Sequence, residues 1–317
     1  MKKLIQSLKE DIKLLYCYIT DWNYYRHYSL SCKNNTQDRR LARIMLVMHA
    51  LEKGLSFTAS QKKQTFGQDK AASLTRQVSS CIKQYGMNDV CIVAINVLSE
   101  YLKDQRSTRD VKVRAEINEL LAHNKDIIES GIAGTKIVEE PPVFDTGLIE
   151  SFYATRFSVR NFSNAPVTEQ EIENARRIAS YTPTACNRQT SRIHIIRNTS
   201  VIHQLMDNQL GGQNWCDNAN ILFIITANQS YFGGNYERYQ ALIDGGLYAM
   251  NFVMGLHLGH IASCFKMYVR DPALEREFKK IAQIPYNELP VVCILAGHYK
   301  KDGLVCSPKS HRFNFDK

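Results

Sequence analysis

Apolar side chains recur every three or four positions through roughly the first 130 residues, which is the spacing of helices that bury one face. In the first segment these positions are Leu4, Ile5, Leu8, Ile12, Leu15 and Ile19. Further helices are predicted over residues 41–51, 71–85, 90–101 and 113–128, and Gly54 is expected to stop the second helix. No strand-like alternation competes, so this region is predicted to be an all-α bundle or cap.

A break in the pattern follows the last of these helices. Gly131 and Gly134 precede the pair Pro141 and Pro142, and two adjacent prolines stop a helix and stiffen a linker. We therefore predict two domains, a helical region over residues 1–140 and a second domain over residues 141–317.

Helices and strands mix after the break. Helices are predicted over residues 168–180, 200–210, 239–258 and 272–282, and the first of them opens on the capping pattern Thr168-x-x-Glu171. Strands are predicted over residues 192–197, 221–227, 263–268 and 290–296.

The long helix 239–258 is unusually rich in small residues, which are Gly245, Gly246, Ala249 and Gly255. Glycine inside a helix costs about 1 kcal/mol relative to alanine, so this composition indicates close approach by another element. Core packing within the domain and a dimer interface both explain it, and the dimer interface is slightly favoured.

The net charge of +9 is spread along the chain, with no run of Lys and Arg longer than two. A diffuse excess of this kind favours a solvated surface or attraction of anionic small molecules over nucleic-acid binding. The nine cysteines contain no C-x-x-C pair and indicate reduced thiols. No apolar stretch reaches the length of a membrane span, and the N-terminus lacks the apolar block of a signal peptide, so we expect a cytoplasmic protein.

Several catalytic signatures are missing from the sequence. It contains no G-x-G-x-x-G dinucleotide fingerprint after a strand, no P-loop and no G-x-S-x-G elbow. His257 and His260 could share a helix face, but no carboxylate-rich third ligand accompanies them, so a structural role is favoured over a metal site.

Three polar clusters remain as candidate chemistry. Residues 156–160 read Arg-Phe-Ser-Val-Arg, and two guanidinium groups at that spacing can converge on one phosphate or lie on a solvated turn. The loop over residues 181–189, rich in small and amide side chains, suits the edge of a polar heterocycle or is an ordinary connection. Residues 307–312 add two cations and two hydroxyl groups.

Taken together and in this order, the clusters resemble the FMN-dependent nitroreductase family over roughly residues 148–313. The other features that carry the resemblance are Asp244-x-Gly246, the segment Gly-His-Ile-Ala-Ser over residues 259–263, and the strand ending in Ala-Gly-His-Tyr at residue 299. The resemblance implies an α+β, nitroreductase-like fold with a mainly antiparallel sheet flanked by helices. It also implies a homodimer with two FMN molecules in its interface, and helix 239–258 as the core of that interface.

The resemblance assigns roles to individual positions. The FMN phosphate would be held by Arg156, Ser158, Lys309 and either His311 or Arg312, with backbone contacts from Phe157. Arg160 would approach the N1/O2 side of the flavin ring and act as the catalytic cation, while Asp244 would meet the pyrimidine edge or the ribityl chain. The loop of the other subunit would line the ring or ribityl chain through Pro183, Thr184, Ala185, Asn187 and Gln189, and the stretch Cys264, Phe265, Lys266 and Met267 would lie along the ring.

Two departures from the family pattern are present. Many members carry a glycine in the stretch corresponding to residues 264–267, whereas Phe265, Lys266 and Met267 here would narrow the active site. The family's tail usually places arginine two residues after the lysine, whereas this chain has His311 there and Arg312 next. Residues 46–55 are similar to an N-terminal extension of nitroreductase-like proteins encoded near bacterial polysaccharide genes. In that segment His49 and Lys53 lie one helical turn apart, and a capped helix end is favoured over a shared functional face.

The function implied is electron transfer from NADH or NADPH through FMN to a small organic acceptor such as a nitro or quinone compound. The cofactor would carry the chemistry, so no side-chain nucleophile is needed. Two alternatives stay open: a specialised flavoprotein of bacterial polysaccharide biosynthesis, and a non-catalytic FMN-binding module.

Overall fold

The computed structural model describes residues 2–57, 65–128, 133–207, 209, 218–301 and 303–306. The N-terminal region is helical, as predicted, with α1 Lys2–Tyr28, α2 Gln37–Ser56, α3 Gln68–Tyr85, α4 Asp89–Lys103 and α5 Val111–Ala122. A short 3₁₀ turn, Lys125–Ile127, follows α5, so the last predicted helix ends earlier than expected. Helices α2 to α5 pack around one apolar cluster that includes Ile44, Leu51, Leu74 and Leu98.

Gly54 does not stop the second helix. Helix α2 continues through Gly54 to Ser56. The glycine leaves room for the ring of Phe66 to pack against the helix. A Cβ atom at this position would lie 2.3 Å from Cε2 of Phe66. The prediction of a helix end at Gly54 is therefore wrong, since the sequence does not reveal the aromatic ring that packs there.

The C-terminal half carries α6 Thr146–Ala154, α7 Glu169–Ala179, α8 Thr199–Asp207, α9 Gln240–Leu258 and α10 Pro272–Ile281. Its strands are β1 Ser191–Ile196, β2 Ile221–Asn228, β3 Ile261–Met267 and β4 Glu288–His298, in the order β1-β2-β4-β3, and all neighbouring pairs are antiparallel. One face of the sheet packs against α7 and α9, and the other packs against α8 and α10. The capping box of Thr168 and Glu171 forms as predicted.

The sequence predicts that the last strand starts at Pro290, but β4 begins earlier, at Glu288. Thr226 of β2 pairs with Pro290, and Ile225 pairs with Val292, so the register shifts at this point. Proline has no N–H to donate to the ladder and is tolerated at such an irregularity. The strand therefore extends through the proline to Glu288.

Three of the small residues on α9 serve packing within the chain. A Cβ atom on Gly245 would lie 2.5 Å from Val291, and one on Gly255 would lie 2.8 Å from Ala175. Ala249 is buried in the same core, while only Gly246 faces open space. The expectation that these four residues form an interface core is wrong for three of them, because the sheet and α7 approach that side of the helix.

Residues 135–145, which contain the predicted boundary, have no regular structure and are exposed. The two regions nevertheless share a core elsewhere. Ala42 of α2 packs with Ala227, Phe232 and Leu289 of the C-terminal half. The Asp38 carboxylate accepts hydrogen bonds from the side chains of Asn228 and Asn287, at 2.9 and 3.0 Å.

No described helix combines the length and apolar character needed to cross a membrane.

Candidate functional site

The arginine segment 156–160 follows α6 and runs along the edge of the sheet. Val159 N–H donates to the Ser263 carbonyl of β3 at 3.0 Å, and Ser158 forms a bridge with Ser263. The Arg160 guanidinium donates to the Ser158 carbonyl at 3.2 Å and lies 3.7 Å from Sγ of Cys306. The backbone pairing therefore fixes Arg156 and Arg160 beside β3.

Three cations act electrostatically on the thiol of Cys264 in β3. Burial raises the pKa of the Cys264 thiol, and the positive charges of Arg160, Lys266 and Arg156 oppose that rise. Lys266 itself is buried in β3. We refer to Arg156, Arg160 and Lys266 as the cation cluster; it is a place where an anionic group such as a phosphate would be stabilised.

His257 of α9 holds the C-terminal end of α6 beside the cation cluster. Its ring lies 3.1 Å from the Phe152 carbonyl oxygen of α6 and 3.2 Å from the Tyr299 hydroxyl of the chain after β4. Burial lowers the pKa of His257, and the nearby Arg156 acts in the same direction. The imidazole thus ties together the two segments that flank the cluster.

The other predicted phosphate contacts, Lys309, His311 and Arg312, lie outside the described residues. Of the predicted stretch along the ring, the side chains of Cys264 and Lys266 are buried, and that of Phe265 is partly buried against the core. Phe157 packs against the opposite core.

Loop 183–189 has an unusual backbone. Cys186, Asn187 and Gln189 all have positive φ, between 50° and 53°. Non-glycine residues in this region cost free energy, of order 1–3 kcal/mol each where the strain is real, and persist only where surrounding contacts hold them. Here Gln189 N–H donates to Thr184 Oγ1 at 3.0 Å, and the Gln189 amide donates to Asn187 Oδ1 at 3.1 Å.

Asp244 anchors the loop to α9. Its carboxylate accepts from Ala185 N–H at 3.0 Å and from the Gln240 amide at 2.7 Å, and the side chain is buried. The sequence predicts a contact between Asp244 and the flavin. The structure shows a contact with the loop that would hold the flavin, and a direct contact stays a prediction.

Arg188 is the main residue that the sequence reasoning missed. The guanidinium is fully buried, donates to the Ala185 carbonyl at 2.9 Å, and makes a two-point pair with Glu237 at 2.6 and 3.0 Å. Burial favours the protonated form of Glu237, but the hydrogen bonds from Arg188 and from Gly233 N–H outweigh it and lower the pKa. No motif signals this pair, because the two residues are far apart in sequence.

The helical region reaches the same loop. Helix α2 contacts the 3₁₀ turn Ala185–Asn187. Burial lowers the pKa of His49, and the charges of Lys53 and Arg188 add to the effect. His49 also lies 3.7 Å from the Glu52 carboxylate. His49 is thus near the predicted flavin loop, whereas the sequence favoured an ordinary helix end for this segment.

The predicted site residues of one chain lie at several points along α9 and β3. Arg156 of the cation cluster lies near His257, and loop 183–189 is anchored at Asp244, 13 residues earlier on α9 and about 20 Å from His257 along the helix. Lys266 lies toward the Asp244 end, because its neighbour Met267 pairs with Val292, next to Val291, which packs against Gly245.

Comparisons with known proteins agree with an antiparallel sheet flanked by helices, as in the nitroreductase family. Residues 153–213, which include both the arginine segment and loop 183–189, match the model of the nitroreductase family. The family match and the antiparallel sheet flanked by helices confirm the predicted nitroreductase-like fold of the C-terminal region.

Three nitroreductases are among the solved structures similar to this chain. An FMN-dependent nitroreductase from Clostridium difficile R20291 is 14% identical, with 52% of this chain and 98% of that chain covered and a TM-score of 0.44. A nitroreductase with bound FMN from Desulfitobacterium hafniense DCB-2 is 16% identical, with coverage of 53% and 97% and a TM-score of 0.40. A nitroreductase family protein from Streptococcus pneumoniae TIGR4 is 14% identical, with coverage of 50% and 94% and a TM-score of 0.43. No curated protein matches the sequence.

Proposed function

We propose that the protein is an FMN-dependent oxidoreductase that takes electrons from NADH or NADPH and passes them to a small organic acceptor, such as a nitro or quinone compound. The observation that carries the proposal is the cation cluster beside β3, which lies in and next to a segment that matches the nitroreductase family. Bound FMN would supply the acceptance of hydride and the onward transfer of electrons.

The cation cluster fits the phosphate of FMN. A phosphate carries more than one negative charge, and a guanidinium group can present two N–H donors to it. Arg156 and the Ser158 hydroxyl would hold the phosphate, assisted by Lys309 and by His311 or Arg312. Arg160, which is fixed by its bond to the Ser158 carbonyl, would stand at the N1/O2 edge of the ring. Its positive charge would stabilise the extra negative charge of the reduced state.

The second group, loop 183–189, fits the ring and the ribityl chain. Its unusual backbone is held by hydrogen bonds within the chain, through Asp244 and Arg188, so the ligand need supply little of the loop's shape. Preformed loops lose less conformational entropy when a ligand binds. The resemblance to the nitroreductase family implies a flavin in a dimer interface, so we expect the loop of a second copy to complete the site.

The exposed side of α9 supports such a homodimer. Ile243, Leu247 and Met250 follow one another at helical spacing and are exposed, with Gly246 between them. Two copies that pack antiparallel along this stripe would place the N-terminal end of one α9 beside the C-terminal end of the other. The loop of one chain would then approach the cation cluster of its partner.

Two measurements test the proposal. Purified protein is expected to show flavin absorbance bands that bleach when NADH or NADPH is added. Arg156→Ala is expected to weaken FMN binding at least tenfold, because a charge-assisted hydrogen bond contributes about 1.5–3 kcal/mol. The matched control is Arg177→Ala, which removes an exposed arginine on α7. Bands that do not bleach would favour a binding module, and equal FMN affinity in the two variants would remove the phosphate assignment.

A further inference from the structure

Helix α1 packs against its own chain with its polar side. Lys13 pairs with Asp271 at 3.4 Å, the Tyr25 hydroxyl donates to the Gly234 carbonyl at 2.7 Å, and Lys279 lies 4.6 Å from the centre of the Tyr24 ring. The half-buried residues of the helix are polar or aromatic, namely Cys17, Thr20, Tyr24, Tyr25 and Tyr28. A helix of a single globular chain normally buries its apolar side instead.

The opposite side of α1 is an apolar stripe that faces outward. Its members each expose between 49% and 60% of their surface, and they are Ile5, Leu8, Ile12, Leu15, Ile19 and Trp22. They follow one another at intervals of three, four, three, four and three residues. This alternation is the a/d pattern of a heptad repeat, which lets two helices wind around each other.

The residue types at these positions specify the partner. All three a positions are isoleucine, and two of the three d positions are leucine, the combination that favours a parallel pair of helices. In such a pair, position g of one helix meets position e of the next heptad on the other, which gives Leu4 opposite Lys9, Asp11 opposite Tyr16 and Tyr18 opposite Asn23. None of these contacts brings like charges together, so the surface is compatible with a copy of itself.

We propose that α1 of one copy pairs in register with α1 of a second copy, as a parallel two-stranded coiled coil along the stripe. Burial of the stripe and its flanks on both helices would remove roughly 1,200 Å² of accessible surface, which reaches the lower end of the range for specific interfaces. The alternating spacing, rather than charge, favours a helix over a lipid surface as the occupant, because Lys9 and Asp11 border the stripe with opposite charges.

Disulfide trapping tests both the pairing and its register. In a parallel, in-register pair residue 8 faces residue 8 of the partner, close enough for a disulfide, whereas residue 7 lies on the outer side. Mild oxidation of Leu8→Cys is expected to give at least ten times more covalent dimer than Ser7→Cys or the unaltered protein, whose own cysteines set the background. Equal amounts in Leu8→Cys and Ser7→Cys would overturn the proposal.

A charge placed in the stripe tests whether the stripe itself forms the contact. Adding Ile12→Asp to Leu8→Cys is expected to reduce the covalent dimer at least tenfold, and unchanged trapping would overturn the proposal. Sedimentation with vesicles of phosphatidylcholine and phosphatidylglycerol covers the lipid alternative, because vesicle binding without trapping would assign the stripe to a membrane surface. FMN content is expected to stay normal in Ile12→Asp, so a failure of the proposed flavin site remains distinguishable from a failure of this pairing.

Discussion

Replacing Asp244 with alanine removes a carboxylate that joins α9 to the backbone of loop 183–189. The loss leaves Ala185 N–H and the Gln240 amide without this acceptor. Only the bond from Ala185 N–H joins the helix to the loop, and a hydrogen bond to a charged group contributes about 1.5–3 kcal/mol. We therefore expect loop opening to become easier by about 2 kcal/mol, which is about a 30-fold change in its equilibrium.

The thiol of Cys186 reports on this opening from within the loop. It is free and only partly exposed in the structure, so we expect it to react chiefly in the open form and its rate to follow the population of that form. The rate at Cys186, measured by peptide mass spectrometry after iodoacetamide treatment, is expected to rise about 30-fold in Asp244→Ala. Asp244→Asn keeps an acceptor oxygen for Ala185 N–H and is expected to raise the rate less than fivefold.

The control for this experiment is Glu277→Ala, which removes an exposed carboxylate from α10. Its Cys186 rate is expected to equal that of the unaltered protein. A rise of less than threefold in Asp244→Ala would show that other contacts hold the loop, and an equal rise in Glu277→Ala would show that the effect is general destabilisation.

Three further predictions concern the cation, the interface and the buried ion pair. Arg160→Met is expected to lower the midpoint potential of bound FMN by about 30–65 mV, since 30 mV equals about 1.4 kcal/mol for two electrons; an unchanged potential in a spectroelectrochemical titration would contradict the ring-edge assignment. Leu247→Glu combined with Ile12→Asp is expected to give a monomer without FMN by light scattering and absorbance, and a monomer with full FMN content would show that one chain completes the site. The lowered pKa of Glu237 means that its stabilising effect is complete above the usual pKa of 4.5 and is lost as pH falls through the lowered value. Glu237→Gln is therefore expected to flatten the dependence of the unfolding free energy on acid pH, and equal slopes would contradict this.

Features that depend on local pattern could be predicted from the sequence. The periodicity of apolar residues located the helices of the N-terminal region, and the Thr168 capping box forms because both partners lie within one helical turn. The strand β2 was predicted from an apolar run that is fully buried between two helical layers. In each case the physical cause lies within about ten residues of its effect.

Features that depend on distant contacts could not be predicted. Gly54 looks like a helix end until the ring of Phe66 is placed beside it. The small residues of α9 look like an interface until β4 and α7 are packed against them. Arg188 lies in loop 183–189, where the sequence draws attention to the amide side chains and not to the arginine. Its partner Glu237 is 49 residues away. Packing and ion pairing at this range depend on the fold, which the linear pattern does not contain.

The proposed site and the helical region meet at loop 183–189, and this contact bears on the proposed domain boundary near residue 140. From one side Asp244 and Arg188 hold the loop, and from the other α2 packs against the turn Ala185–Asn187. Ala42 of α2 also fills a cluster whose other buried members come from the C-terminal half. The linker therefore separates two stretches of sequence that each have a core of their own and that share the smaller cluster around Ala42. The helical region packs against the loop that would reach the flavin of the partner in the proposed dimer, and for that reason we regard it as part of the proposed site.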